Sequence, residues 1–209
     1  MIKLVAFDLD GTIGETIPMC IRAFEQAVSP YAGHELSREE IIQTFGLNEV
    51  GMIKMVAAEK WREALQDFYP LYEKMHAECP EPYEGIRELM ETLKANGVLV
   101  ALITGKGEKS CEITLEQFGM QDLFCAIKTG AEDRPNKAEA ISELLDAYHL
   151  AKDEFYYVGD AVSDVTASRK AGVTCLSAAW GTTAETDRLK EINPSNVFLT
   201  IGDLQYFLL

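Results

Sequence analysis

The sequence predicts an α/β protein: a doubly wound parallel sheet with a small all-helical insert after its first strand. Three observations lead there. From residue 83 onward, short apolar runs alternate with segments of helical periodicity. Residues 16–80 carry helix signals and almost no strand signal. Polar residues recur where the apolar runs end. Alternation of this kind means parallel strands joined by right-handed crossovers, with helices on both faces.

The elements follow in order. Ile2–Phe7 reads as a buried strand that ends in Asp8-Leu9-Asp10-Gly11-Thr12. Pro18 opens a helix through Val28, punctuated by Pro30 and Gly33. Ser37-Arg38-Glu39-Glu40 is a capping box for the next helix. Leu47–Ala58 and Trp61–Ala77 predict two more, and Pro80 and Pro82 end the segment. Val98–Ile103 is a continuous apolar run of buried-strand type, followed by a helix over Glu108–Phe118 that stops at Gly119. Cys125–Lys128 predicts a short strand. Lys137–His149 carries Ala138, Ile141, Leu144, Leu145 and Tyr148 at helical spacing. Phe155–Val158 is a strand, Val162–Ala171 a helix closed by Gly172, and Val173–Leu176 another strand. The tail repeats the pattern weakly, with a helix near Ala184–Ile192, a strand at Val197–Leu199 and a terminal helix. Residues 1–15 and 82–209 are thus expected to form the α/β core, and residues 16–81 a helical cap.

Composition narrows the function classes. The 209 residues can hold one large domain or a core with an insert. No apolar stretch approaches membrane-spanning length, and the first residues offer no small-residue cleavage site. A net charge of −15 argues against a nucleic-acid backbone or an anionic membrane as partner. An anionic substrate must then be drawn in locally, by a metal or a few cations. The five cysteines are odd in number and scattered, with no CxxC, which predicts reduced, mostly buried thiols in a cytoplasmic protein. His34, His76 and His149 read as surface or helix-end residues. A monomer is compatible with the sequence.

The chemistry starts at the first strand. Side chains two apart on a strand share a face, so Asp8 and Asp10 point to one side. Gly11 lets the chain turn sharply, and Thr12 is expected to hydrogen-bond back to the turn. Two carboxylates at the end of a buried strand are costly unless a divalent cation compensates them. Later strand ends supply Thr104-Gly105-Lys106-Gly107 and Gly159-Asp160-Ala161-Val162-Ser163-Asp164. In a parallel sheet these ends share one edge, where ligands bind at the switch point. Alone, Gly-Asp before a helix is as often a turn and an N-cap. With Asp8 and Asp10, Asp160 and Asp164 make three or four converging carboxylates, the ligand set of Mg²⁺. Between them runs Glu132-Asp133-Arg134-Pro135-Asn136-Lys137, where a cation can hold a phosphate against the metal. Thr104 and the N–H groups of the Gly105 turn can hold another phosphate oxygen.

The order Asp8-x-Asp10-Gly11-Thr12, helical insert, Thr104 after a strand, Lys137, then Gly159-Asp160-x-x-x-Asp164 resembles the haloacid dehalogenase superfamily. The insert's position and Ala171-Gly172-Val173 resemble its phosphoglycolate-phosphatase-like branch, whose core is Rossmann-like. The resemblance covers essentially the whole chain. It implies Asp8 as nucleophile and metal ligand, and Asp10 as a metal ligand through its carbonyl and as general acid, then base. It also implies Thr104 and Lys137 as phosphoryl anchors, Gly11, Thr12 and Gly105 around the phosphate, and Asp160 and Asp164 as further ligands of Mg²⁺. Relatives often carry Lys-Pro where this chain has Arg134-Pro135, so Arg134 and Lys137 both stand as candidate anchors. A compact ammonium at a helix start favours Lys137. Glu15 stands where relatives often carry Asp.

The expected activity is Mg²⁺-dependent hydrolysis of a small phosphorylated metabolite through an aspartyl phosphate. Alternatives are a sugar-phosphate mutase, a pyrophosphatase, or a phospho-accepting signalling module. Dehalogenase and phosphonate chemistries would replace Asp10. Arg22, Arg38, Lys54, Lys60 and Arg62 of the insert are candidates to read a carboxylate or a second phosphate, although exposed basic residues on helices are usually just solvated.

Overall fold

The structure is a computed structural model that describes residues 1–209. Six parallel strands form its sheet: β1 (Leu4–Phe7), β2 (Leu99–Ile103), β3 (Ala126–Lys128), β4 (Phe155–Gly159), β5 (Thr174–Ala178) and β6 (Val197–Phe198). Their spatial order is β3-β2-β1-β4-β5-β6. The chain winds outward from β1 in one direction and returns to β4 on its other side. The switch point therefore lies between β1 and β4, where Leu4–Phe7 pairs with Phe155–Val158 in register.

Both faces of the sheet are covered, which is why the central strands read as unbroken apolar runs rather than alternating ones. Val5, Phe7, Val100 and Leu102 pack on α5 (Ile86–Ala95), α6 (Glu108–Phe118) and α10 (Ile201–Leu208). Leu4, Ala6, Ala101 and Ile103 face the other way, against α7 (Lys137–Ala147), α8 (Val162–Ala171) and α9 (Thr186–Ile192). No helix is long and apolar enough to cross a membrane.

Four helices lie between β1 and α5: α1 (Ile17–Ala32), α2 (Arg38–Gln43), α3 (Glu49–Val56) and α4 (Trp61–Met75). They own a separate apolar cluster in which Met19, Phe24, Val28, Ile41, Phe68 and Tyr72 are buried, joined by Ile113 of α6. The Phe24 and Phe68 rings meet edge-on at 6.0 Å and tie α1 to α4.

Most predicted elements lie within a few residues of the observed ones. Helix α1 continues past Val28 to Ala32, because Pro30 falls in its last turn and removes only one late donor, and Gly33 closes it at φ 82°. Helix α3 starts at Glu49 rather than Leu47, since the Asn48 side chain caps it by accepting the Gly51 N–H at 3.1 Å. His34 and His149 are exposed, but His76 is fully buried rather than on the surface. Its ring nitrogens lie 3.0 Å from the Cys79 carbonyl and 2.9 Å from Thr114 Oγ1, so both polar atoms are partnered inside the molecule. All five cysteines are free, and only Cys125 is exposed.

Candidate active site

The strand ends bring the predicted residues together at the switch point. Asp8 follows β1, and its N–H donates to the Val158 carbonyl of β4 at 2.8 Å. Asp160 follows β4, and Asp164 lies in the first turn of α8, where its Oδ2 accepts the Ala161 N–H at 3.0 Å. Carboxylate oxygens of Asp8, Asp160 and Asp164 all lie within 4.8 Å of one another, and all three residues are buried. Lys137, the first residue of α7, donates to Asp8 Oδ2 at 2.6 Å and to Asp164 Oδ1 at 2.7 Å.

Gly11 makes that convergence possible. Its φ is +75°, and a Cβ there would stand 2.2 Å from Asp160 Oδ2, so any side chain would drive Asp160 out. Thr12 does not bond back into its own turn through its hydroxyl as expected. Its Oγ1 donates instead to Asp160 Oδ1 at 3.1 Å, because the turn aims it across the switch point.

Electrostatically the cluster is short of positive charge. Burial pushes the Asp8 carboxyl up to about 7; Lys137 opposes the rise, and Asp164 and Asp10 add to it. Burial also raises Asp160 well above the usual range, reinforced by Asp164 and Asp8. For Lys137 burial acts to lower the pKa, but Asp164 and Asp8 outweigh it and hold the ammonium charged. Three buried carboxylates around one lysine are the donor set that a hard divalent cation relieves.

Asp10 stands apart from that triad. Its Oδ1 accepts from the Thr16 hydroxyl and lies 3.3 Å from Lys106 Nζ, on the side facing the helices. The side chains of Asp8 and Asp10 therefore do not make one ligand set: the chain leaves strand geometry after β1, and the two carboxylates diverge. Thr104 is fully buried, and its Oγ1 accepts the Lys106 N–H at 3.1 Å. Gly105 lines the cavity together with Asp8, whereas Thr104 is not part of its lining. Arg134 is not brought to the site. It is exposed and pairs with Asp133 at 2.9 Å and Glu139 at 3.0 Å, because its loop runs outward before α7 turns Lys137 in. Glu15 fixes the loop after Asp10, its Oε2 accepting from the Tyr83 hydroxyl and the Thr182 N–H, each at 2.8 Å.

The cavity holds about 170 Å³ between the sheet edge and the helical layer. Two of its charged residues had no role assigned from the sequence. Lys106 is buried, with Nζ 3.2 Å from Cys20 Sγ and 4.6 Å above the Tyr72 ring. Its place two residues after Thr104 was the available signal. Glu49 reaches from α3 to accept the Gly107 N–H at 2.8 Å and the Ser110 hydroxyl at the start of α6. Nothing local marks it, because its partners lie some 60 residues away in the chain.

Three kinds of likeness to known proteins agree with this geometry. Residues 5–178 match the family model described as haloacid dehalogenase-like hydrolase. The chain is 27% identical over 206 residues to pyrophosphatase PpaX of Halalkalibacterium halodurans, covering 97% of this chain and 95% of that protein. It is 29% identical over 197 residues to phosphoglycolate phosphatase of Vibrio parahaemolyticus, covering 86% and 85%. A hydrolase crystal structure from Pseudomonas syringae superimposes with a TM-score of 0.81 at 19% identity, over 100% of this chain and 98% of that one, and so shares the fold.

Proposed function

We propose that this chain, which belongs to the haloacid dehalogenase-like hydrolase family and is a phosphatase, hydrolyses small phosphomonoesters in a Mg²⁺-dependent reaction with Asp8 as nucleophile. One observation carries the reading: three buried carboxylates, from Asp8, Asp160 and Asp164, converge beside a largely buried lysine at the floor of a cavity.

Asp8, Asp160 and Asp164 would hold Mg²⁺, with the Asp10 carbonyl as a further ligand. The Gly11 cradle that admits Asp160 and the surplus of buried negative charge fit such an ion. Bound there, Mg²⁺ would neutralise the phosphoryl oxygens and lessen their repulsion of an attacking carboxylate.

The chain's own residues supply the rest. Asp8 Oδ1 is held by the Leu9 N–H at 2.8 Å and Oδ2 by Lys137, which fixes the carboxylate at the floor of the cavity. One Asp8 oxygen attacks phosphorus as the bond to the leaving oxygen breaks, and Asp10 donates its proton to that oxygen. Asp10 then takes a proton from water, the water oxygen attacks phosphorus, and the acyl phosphate bond breaks to restore Asp8. Lys137 offsets charge on the phosphoryl oxygens throughout. The Gly105 N–H offers a donor beside it, since the Lys106 and Gly107 N–H groups are already taken by Thr104 and Glu49.

We assign residues 16–81 as a cap and residues 1–15 and 82–209 as the core. The separate apolar cluster of α1–α4 supports that division. The docking of Asn48 on the 130–131 loop and of Glu49 on α6 supports a closed state that excludes bulk water. Five free thiols agree with a reducing, cytoplasmic setting.

The test is phosphate release from purified protein, with Mg²⁺ and with EDTA, beside Asp8→Asn. Metal-dependent release that the substitution abolishes is expected. Release that survives Asp8→Asn would remove Asp8 from the nucleophile's role.

A further inference from the structure

The cap carries cations, yet none of them reaches the cavity. Arg22 pairs with Glu78 on the surface, and Lys54 pairs with Glu132 at 2.9 Å while lying over the Trp61 ring. Arg62 also lies over that ring, and Arg38 and Lys60 are exposed. The lining contains two cations only, Lys106 and Lys137. Lys137 is committed to Asp8 and Asp164, and Lys106 to Asp10. Glu49 also lines the cavity, with its carboxylate already occupied by Gly107 and Ser110.

What faces the phosphoryl site across the cavity is apolar: Ile17, Phe24, Phe45, Leu47, Met52 and Phe68. A second phosphate or a carboxylate placed against that wall would lose its hydration, and the six residues offer it no counter-ion. Sugar hydroxyls would fare little better, since those six side chains offer them no donor or acceptor. An apolar body would bury its surface against the rings and the thioether at no such cost.

We infer that the leaving group this site selects is a compact, uncharged alcohol with an apolar alkyl or aryl body. This rests on the phosphatase reading and narrows it. The reaction is then hydrolysis of an apolar phosphomonoester: the P–O bond to the alcohol oxygen breaks, Asp10 protonates that oxygen, and the free alcohol and inorganic phosphate leave.

The experiment compares kcat/KM, with Mg²⁺, for isobutyl phosphate, phosphoglycolate, glucose 6-phosphate and pyrophosphate. The first two release simple primary alcohols that differ mainly in a carboxylate. Isobutyl phosphate is expected to exceed each of the others by roughly tenfold or more, the discrimination typical of a pocket contact. Turnover led by phosphoglycolate, the sugar phosphate or pyrophosphate overturns this inference and leaves the phosphatase reading standing. Release from none of the four overturns both. Phe45→Arg, at a wall position that is 42% exposed, adds a cation without entering the buried core. It should move the isobutyl-to-glycolate ratio toward phosphoglycolate by roughly tenfold, with Met52→Arg as a second variant on α3. An unchanged ratio in the folded variants overturns the role of the wall.

Discussion

The sheet edge and the helical layer face each other across one cavity, and they are built on opposite terms. At the edge, Asp8, Lys137, Asp160 and Asp164 come from four separate strand or helix ends; the three carboxylates are buried, and Lys137 pairs with two of them. Across from them the layer presents mainly rings and aliphatic chains, with Glu49 as its one charged residue in the lining. The edge concentrates electrostatic energy where charge develops in the reaction, while the layer excludes water and sets shape. Reaction type and substrate choice are thus held by different physical forces in different parts of the chain, and they should fail separately.

The largest effect should come from the edge. Asp8→Asn is expected to lower turnover by at least ~10⁴-fold, the scale of losing a nucleophile. The same change should stabilise the metal-free protein at alkaline pH. The Asp8 carboxyl is raised from 3.8 to about 7 in the fold, chiefly by burial. A raised carboxylate binds its proton more tightly when folded, so its charge destabilises the fold above about pH 7 and is relieved as pH falls toward 4. Thermal melts in EDTA should therefore show Asp8→Asn above wild type at pH 8, by up to about 4 kcal/mol, with the gap less than half as large at pH 5 and closing toward pH 4. A mutant less stable than wild type at pH 8 would show that losing the Lys137 contact outweighs the relief. Lys137→Ala ranks next. It removes the one lysine that two buried carboxylates share, and should cost roughly 10²–10³-fold in kcat.

How much of this was legible in the sequence follows the same divide. Asp8, Asp160 and Asp164 could be placed because each sits within a few residues of a strand end, and a parallel sheet brings strand ends to one edge whatever the details. Asp10 was legible as an acid but not as a separate pole, since the exit from strand geometry after Phe7 is not written in the residue types. Arg134 and Lys137 could not be fully separated, because three residues of loop decide which one turns inward. Glu49, Lys106 and the apolar wall depend on how four helices fold back over the edge. His76 shows the same limit: a polar residue at a helix end became fully buried because Thr114 and the Cys79 carbonyl happened to meet its ring.

The seam between the two regions can be opened without touching either set of functional groups. A Cβ on Gly51 would lie 2.1 Å from the Glu132 carbonyl oxygen, and backbone cannot swing aside. Gly51→Ala should lift α3 from the 130–132 loop and cost about 10²-fold in kcat/KM, the scale of displacing a positioning element by an ångström. Circular dichroism should show the helices intact. Unchanged kinetics would mean that this docked arrangement is not the one in which chemistry occurs. Glu49→Gln is milder. It keeps an oxygen for Gly107 or Ser110 but removes a negative charge from the start of α6, worth about 1 kcal/mol. The urea midpoint should fall at constant m-value, and KM should rise more than kcat falls.

Arg134→Ala should do least, and its smallness carries information. The guanidinium is exposed and paired only with its neighbours Asp133 and Glu139, an arrangement that solvent and salt largely screen. Loss of both contacts leaves the Lys137–Asp8 and Lys137–Asp164 bonds as they stand. Both kcat and KM should match wild type within error, beside the large loss in Lys137→Ala, and the melting temperature should hardly move. A fall in kcat comparable to that of Lys137→Ala would place the guanidinium on the phosphoryl group during turnover. The 132–137 loop would then have to reverse direction in the reacting complex, so that the boundary between the charged edge and its solvated rim shifts with substrate.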